Sequence, residues 1–212
     1  MKRVLIKICG LRHLASARAA LAAGADYLGF VLAPSRRRVS PEAVRTIVRQ
    51  LPEGARTVGV FVDESAETIN EMVAWCGLTH VQLSGDEAPA LAAAIRAPVL
   101  KALRLGGPGH PAAVEPGDYA GHVAAFVLDR FQAGTFGGTG QTCDWQLAAY
   151  LAARYPCFLA GGLNPENVGA AIAAVRPLGV DVSSGVEVVG LPGQKDVGRI
   201  EAFIAAVRRA EK

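Results

Sequence analysis

Cys9, Asp129 and two glycine-containing turns have the residue types and placement for proton-transfer chemistry on a phosphorylated small molecule. Asp181-Val-Ser-Ser-Gly-Val-Glu187 leads from an apolar stretch into two hydroxyls and a glycine, where a buried strand would end. A turn of that composition offers backbone N–H groups to an anion. Leu159-Ala-Gly-Gly-Leu163 has the same character just upstream. Two such turns on successive late strands suit a sugar phosphate. Cys9 ends the first apolar run, and Asp129 follows Phe126-Val-Leu128. A thiolate accepts a proton once its pKa falls from about 8.5 toward neutrality. A carboxyl group that burial keeps protonated serves as a general acid.

Each of these residues also has a plain structural use. A cysteine in an apolar run is usually a small core residue, and a strand-end aspartate often caps a turn. Asp181 either pins its own loop or meets a substrate hydroxyl. The triplet Arg36–Arg38 is a solvated charge run, or it supplies one guanidinium fork for a substrate carboxylate. Gly137-Gly-Thr-Gly140 is a flexible turn that suits a lid only because Asp129 precedes it. What favours chemistry is the expectation that Cys9, Asp129 and the turns all lie at strand ends facing one mouth.

Positioning them requires alternating strands and helices. Apolar runs predict strands at Val4–Cys9, Tyr27–Leu32, Thr57–Val62, His80–Leu83, Val99–Leu103, Ala125–Leu128, Cys157–Ala160 and Val180–Ser183. Apolar spacing predicts helices at Leu14–Ala23, Pro41–Leu51, Ala66–Cys76 and Val197–Ala210. Ser40-Pro41 and Asn164-Pro165 look like helix starts, and Gly24 and Gly77 like helix ends. Glycines and prolines crowd the stretch from Arg104 to Tyr119, so the fifth helix is expected to be degenerate or missing. The pattern predicts a single α/β domain over residues 1–212, a (β/α)8 TIM barrel. A doubly wound open sheet shows the same alternation, but no Gly-x-Gly-x-x-Gly follows the first strand.

Composition removes other classes. The 212 residues carry a formal charge of +3, too little to argue for nucleic acid. No apolar run approaches the ~20 residues needed to cross a bilayer. Met1-Lys-Arg before an apolar run superficially resembles a signal peptide, but Lys7 interrupts it, and a first strand is the better reading. The 4 cysteines form no Cys-x-x-Cys and fit a reducing cytoplasm. The 4 histidines show no ligand spacing, so no metal is expected. Gly-x-Ser-x-Gly is absent as well.

Several segments together are familiar. Lys7-Ile-Cys-Gly10, Gly24-Ala-Asp-Tyr-Leu-Gly-Phe30, Gly59-Val-Phe-Val62, Gln82-Leu83, Gly137-Gly-Thr-Gly140 with Asp144-Trp145, and Gly193-Gln-Lys-Asp196 occur in order with the two glycine turns. This set resembles the phosphoribosylanthranilate isomerase family of tryptophan biosynthesis. The resemblance implies a (β/α)8 barrel and an Amadori rearrangement of N-(5-phosphoribosyl)anthranilate, with no metal or cofactor. It implies that Cys9 and Asp129 are catalytic and that Arg37 binds the anthranilate carboxylate. It implies that Gln82 and Asp181 touch substrate, and that Gly161, Gly162, Ser183, Ser184 and Gly185 hold the phosphate. The partner is then a small sugar phosphate, with no nucleic acid or membrane, for a monomer or homodimer. One departure is Ser84, where Gln-Leu-His-Gly is usual in the family. Two alternatives stand beside it. The histidine-pathway aminoaldose isomerase uses an aspartate where Cys9 stands, and a non-catalytic phosphate-binding barrel has no need of Cys9 and Asp129 together.

Overall fold

A computed structural model describes residues 3–105, 116–119, 121–130 and 144–211. Eight parallel strands close into a barrel in sequence order: β1 Leu5–Ile8, β2 Tyr27–Val31, β3 Arg56–Phe61, β4 His80–Leu83, β5 Val99–Leu105, β6 Ala125–Arg130, β7 Cys157–Leu159 and β8 Gly179–Val182. β8 pairs with β1, with Lys7 opposite Asp181 and Ile8 opposite Val182. No open sheet edge is left, so the doubly wound alternative does not hold.

Helices α1 Leu14–Ala23, α2 Pro41–Val48, α3 Ala66–Cys76, α4 Pro89–Ala94, α5 Trp145–Ala152, α6 Val168–Val175 and α7 Val197–Ala210 connect them. Local chemistry sets their ends. Ser40 accepts from Ala43 N–H, Ser65 from Thr68 N–H and Asp196 from Arg199 N–H, each satisfying a helix-end donor. α1 and α3 end at Gly24 and Gly77, both left-handed, as expected. Asn164-Pro165 does not start a helix. Asn164 Oδ1 accepts from Glu166 and Asn167 N–H, and α6 begins only at Val168. The extra turn brings Asn167 back to donate to the Gly162 carbonyl at 2.9 Å, which ties the helix to the β7 turn. Between β5 and β6, Pro116–Tyr119 form one 3-10 turn, and residues 106–115 lie outside the described set. Gly137-Gly-Thr-Gly140 also lies outside it.

The core has two compartments. One lies between sheet and helices, built from residues such as Ile6, Phe30, Leu83, Leu128, Val182 and Phe203. The other fills the barrel interior with Val58, Leu100, Ala125, Val127, Phe158 and Ala160. Both faces of each strand are therefore covered, which explains the nearly unbroken apolar runs. Phe158 is 1% exposed and meets the Tyr27 ring edge-on, with centroids 5.6 Å apart. We expect Phe158→Ala to leave a cavity in this layer and cost about 3–5 kcal/mol of stability, read by denaturant unfolding.

Candidate active site

Successive strand residues point to opposite faces. On β1 the inward set includes Leu5 and Lys7, with Cys9 just past the strand end; on β4 it is His80 and Gln82, with Ser84 next; on β6 it is Ala125, Val127 and Asp129. Each series runs from the lower layers to the C-terminal mouth. There a cavity is lined by Cys9, Arg37, Gln82, Ser84, Arg104, Asp129, Gly161, Gly162, Asp181, Ser183 and Ser184, with Val31, Val60 and Ala160 between them. The barrel thus brings nine of the ten sequence-predicted site residues to one wall. The exception is Gly185, which packs behind it: a side chain there would collide with the Leu163 carbonyl oxygen. Gly185 lets the β7 and β8 turns touch.

Gly161 and Gly162 have φ of 77° and 66°, a conformation that favours glycine. Turns with successive N–H groups of this kind form anion-binding concavities. The β8 turn is held from behind by two cations. Lys195 Nζ donates to the Ser183 carbonyl at 2.9 Å, and Arg199 Nε donates to the Gly185 carbonyl at 3.0 Å.

Burial governs the acid and the thiol. It raises the Asp129 carboxyl to about 6, opposed by the hydrogen bond from Arg130 N–H at 2.7 Å. Asp129 also abuts the β7 turn: a Cβ at Gly161 would stand 3.0 Å from its Oδ1. Burial likewise pushes the Cys9 thiol up. A carboxyl that titrates near neutrality can deliver a proton, which suits a general acid.

Lys7 points inward and is fully buried, with Nζ 2.7 Å from Asp181 Oδ2. Asp181 Oδ1 and Gln82 Oε1 are buried without partners. Gln82 Nε2 donates to Ser84 Oγ at 3.0 Å, so the residue at the family's histidine position bonds the Gln82 amide. Two open acceptors in a polar cavity call for donors on a ligand, such as sugar hydroxyls.

Arg37 is not a solvated charge. Its Nε and Nη2 donate to Glu187 Oε1 and Oε2 at 2.7 and 2.8 Å. Glu187 in turn accepts from Lys195 at 3.0 Å. One edge of the guanidinium is taken, and Nη1 makes no hydrogen bond among the described residues. Glu187 and Lys195 carried no assigned role in the sequence, although both lie inside quoted motifs. The signal for them is a pair of opposite charges eight residues apart, which only the fold brings together. Arg104, another wall residue, likewise had no sequence signal; it pairs with Asp86 at the cavity rim.

Fold and mouth together define a (β/α)8-barrel enzyme. The family model for N-(5'-phosphoribosyl)anthranilate (PRA) isomerase matches residues 6–206. A curated N-(5'-phosphoribosyl)anthranilate isomerase from Desulforudis audaxviator is 48% identical over 206 residues, 97% of this chain and 98% of the relative. The crystal structure of phosphoribosyl anthranilate isomerase from Thermus thermophilus is 38% identical, with TM-score 0.85, over 97% of this chain and 99% of that one. Another phosphoribosyl anthranilate isomerase, solved in complex with reduced 1-(o-carboxyphenylamino)-1-deoxyribulose 5-phosphate, is 37% identical with TM-score 0.81, again over 97% and 99%. The chain belongs to the N-(5'-phosphoribosyl)anthranilate isomerase family, aldose–ketose isomerases of tryptophan biosynthesis.

The Glu187 network makes a stability prediction. Burial works to raise the Glu187 pKa, but the bonds from Arg37 and Lys195 outweigh it and hold the carboxylate below its ordinary value. Its stabilisation is complete above the unfolded value of 4.5 and is lost as pH falls through the lower folded value. Glu187→Gln leaves Lys195 buried without a counter-charge and is expected to cost about 3 kcal/mol at neutral pH. Chemical unfolding at several pH values should show that cost shrinking below about pH 4.5.

Proposed function

We propose that this chain isomerises N-(5-phosphoribosyl)anthranilate to 1-(2-carboxyphenylamino)-1-deoxyribulose 5-phosphate by general acid–base catalysis. The observation that carries the assignment of roles is that Cys9 and the raised Asp129 line one cavity with the two glycine turns. Asp129 protonates the furanose ring oxygen, and the C1′–O bond opens to a Schiff base. Cys9 then takes the C2′ proton, and the electron pair moves to give an enolamine. Tautomerisation of the enolamine yields the ketone. Protons and electrons balance within the substrate and these two side chains, so the reading calls for no cofactor.

Gly161, Gly162, Ser183 and Ser184 hold the phosphate, with Gly185 supporting the turn. The free Nη1 edge of Arg37 takes the anthranilate carboxylate, which its planar geometry suits. Gln82 and Asp181 accept from substrate hydroxyls through their open oxygens. The whole site comes from one barrel, read as a single domain over residues 1–212, so a cytoplasmic monomer or homodimer serves equally. The alternative of a non-catalytic phosphate-binding barrel leaves the raised acid unexplained. The histidine-pathway alternative is disfavoured by a thiol where it needs a carboxylate.

Cys9→Ala and Asp129→Asn should each lower kcat by about 10²–10⁴-fold while the protein still folds and binds product. Neither variant should rescue a tryptophan auxotroph lacking this isomerase, whereas the wild-type chain should. Near-normal turnover in either variant removes that residue from its role. The pH profile is a further check. Between about 6 and the higher thiol value, the Cys9–Asp129 pair holds one proton in total. The working form places it on Asp129 and leaves Cys9 as thiolate. That tautomer is a constant fraction across the window, so kcat/KM should be flat there. Below about pH 6 the pair gains a second proton, and kcat/KM should fall about tenfold per pH unit. A rate that climbs as pH drops below 6 contradicts the pairing.

A further inference from the structure

A second charged group stands directly beneath the thiol. Lys7 and Cys9 are two residues apart on the inner side of β1, so both face the barrel interior. Lys7 is 0% exposed, and its register partner across β1–β8 is Asp181. An ammonium carries three N–H bonds. Asp181 takes one at 2.7 Å, and Cys9, the next inward position along the strand, stands on the mouth side of the same ammonium. A buried ion pair is poor evidence of stabilisation, because apolar side chains of similar volume fill such a space equally well. A lysine in the barrel interior therefore needs another reason.

We infer that Lys7 is a positioning residue for the proton transfer, its buried ammonium shared between Asp181 and the Cys9 thiolate that removes the substrate proton. This rests on the reading of Cys9 as base and adds a residue with no assigned role. Without Lys7, a thiolate at position 9 would form beside the Asp181 carboxylate with that carboxylate's own buried counter-charge gone. The groups facing Cys9 are Lys7 from its own strand, Asp181 from β8, Arg37 from the segment after β2 and Lys195 from the segment before α7. Asp129 of β6 and Arg104 of β5 line the same cavity. Lys195 and Arg37 are already engaged by Glu187, whereas Lys7 makes the largest opposing contribution to the effect of burial on Cys9.

The test is the rate of Cys9 alkylation by iodoacetamide against pH. It is run in a Cys143→Ser background, and the signal is defined by subtracting a Cys9→Ser control. Lys7→Met should move the thiol titration up by one unit or more, at least a tenfold loss of thiolate at a given pH. Lys7→Arg, which keeps the charge, should hold it within about threefold. A merely structural role predicts a lower Tm with the wild-type titration, and that result overturns the proposal. If Lys7→Met does not fold, Lys7→Met with Asp181→Asn is compared with Asp181→Asn alone, and the same upward displacement is required. Failure of the parent reading looks different: Cys9→Ala would keep its turnover, whatever the titration shows. An inactive Cys9→Ala beside an unmoved Lys7→Met titration removes Lys7 alone.

Discussion

Closing eight parallel strands on themselves sends alternate side chains of every strand into one narrow interior, and the site follows from that constraint. The lower layers are apolar and pack tightly, with Tyr27, Leu100, Val127 and Phe158 among them. Toward the mouth the inward positions become Lys7, Gln82, Asp129 and Asp181. Polar groups placed there are largely removed from water and must find partners within the barrel. Lys7 and Asp181 satisfy each other, while one oxygen each of Asp181 and Gln82 is left unpaired. The same burial that makes these groups costly leaves those two oxygens open to a donor entering the cavity.

Two ion-pair systems and one further arginine hold the rim in place. Lys195, Glu187 and Arg37 lock the β8 turn to the segment after β2. Arg199 adds a bond to the same turn through the Gly185 carbonyl. On the outer side of the sheet, buried Lys101 meets Glu87 at 2.8 Å and donates to the Gly85 carbonyl. Glu87 also accepts from the Asp63 and Gly85 N–H groups, which fixes the segments after β3 and β4 together. Ser84 and Gln82 sit on the strand end that this clamp secures. Surface charge pairs contribute little to stability, but pairs this well buried hold one geometry because breaking either partner leaves an isolated charge.

Desolvation acts on both Cys9 and Asp129. It raises both affinities for a proton. On the proposed roles that helps Asp129, the acid, and hinders Cys9, the base. The cations around Cys9 partly counter burial there, and the Arg130 amide partly counters it at Asp129. Burial is common to both groups, and the Lys7–Asp181 pair acts on each of them.

Much of this was legible in the chain itself. Unbroken apolar runs, serine caps at Ser40 and Ser65, and glycine ends at Gly24 and Gly77 are local signals, and α1 and α3 match their predicted spans to the residue. Cys9, Asp129 and the glycine turns were recognisable because strand ends in a barrel converge. Short helices such as α4 were less legible, since six alanine-rich residues lack a clear apolar period. Asn164 misled because its side chain serves a turn that delivers Asn167 to the β7 loop. The Arg37–Glu187 pairing spans 150 residues and the Lys7–Asp181 pairing 174. Nothing local records them. Residue type and order determined which groups this protein owns; barrel closure alone decided which charge faces which, because electrostatic partnership depends on distance in space and not along the chain.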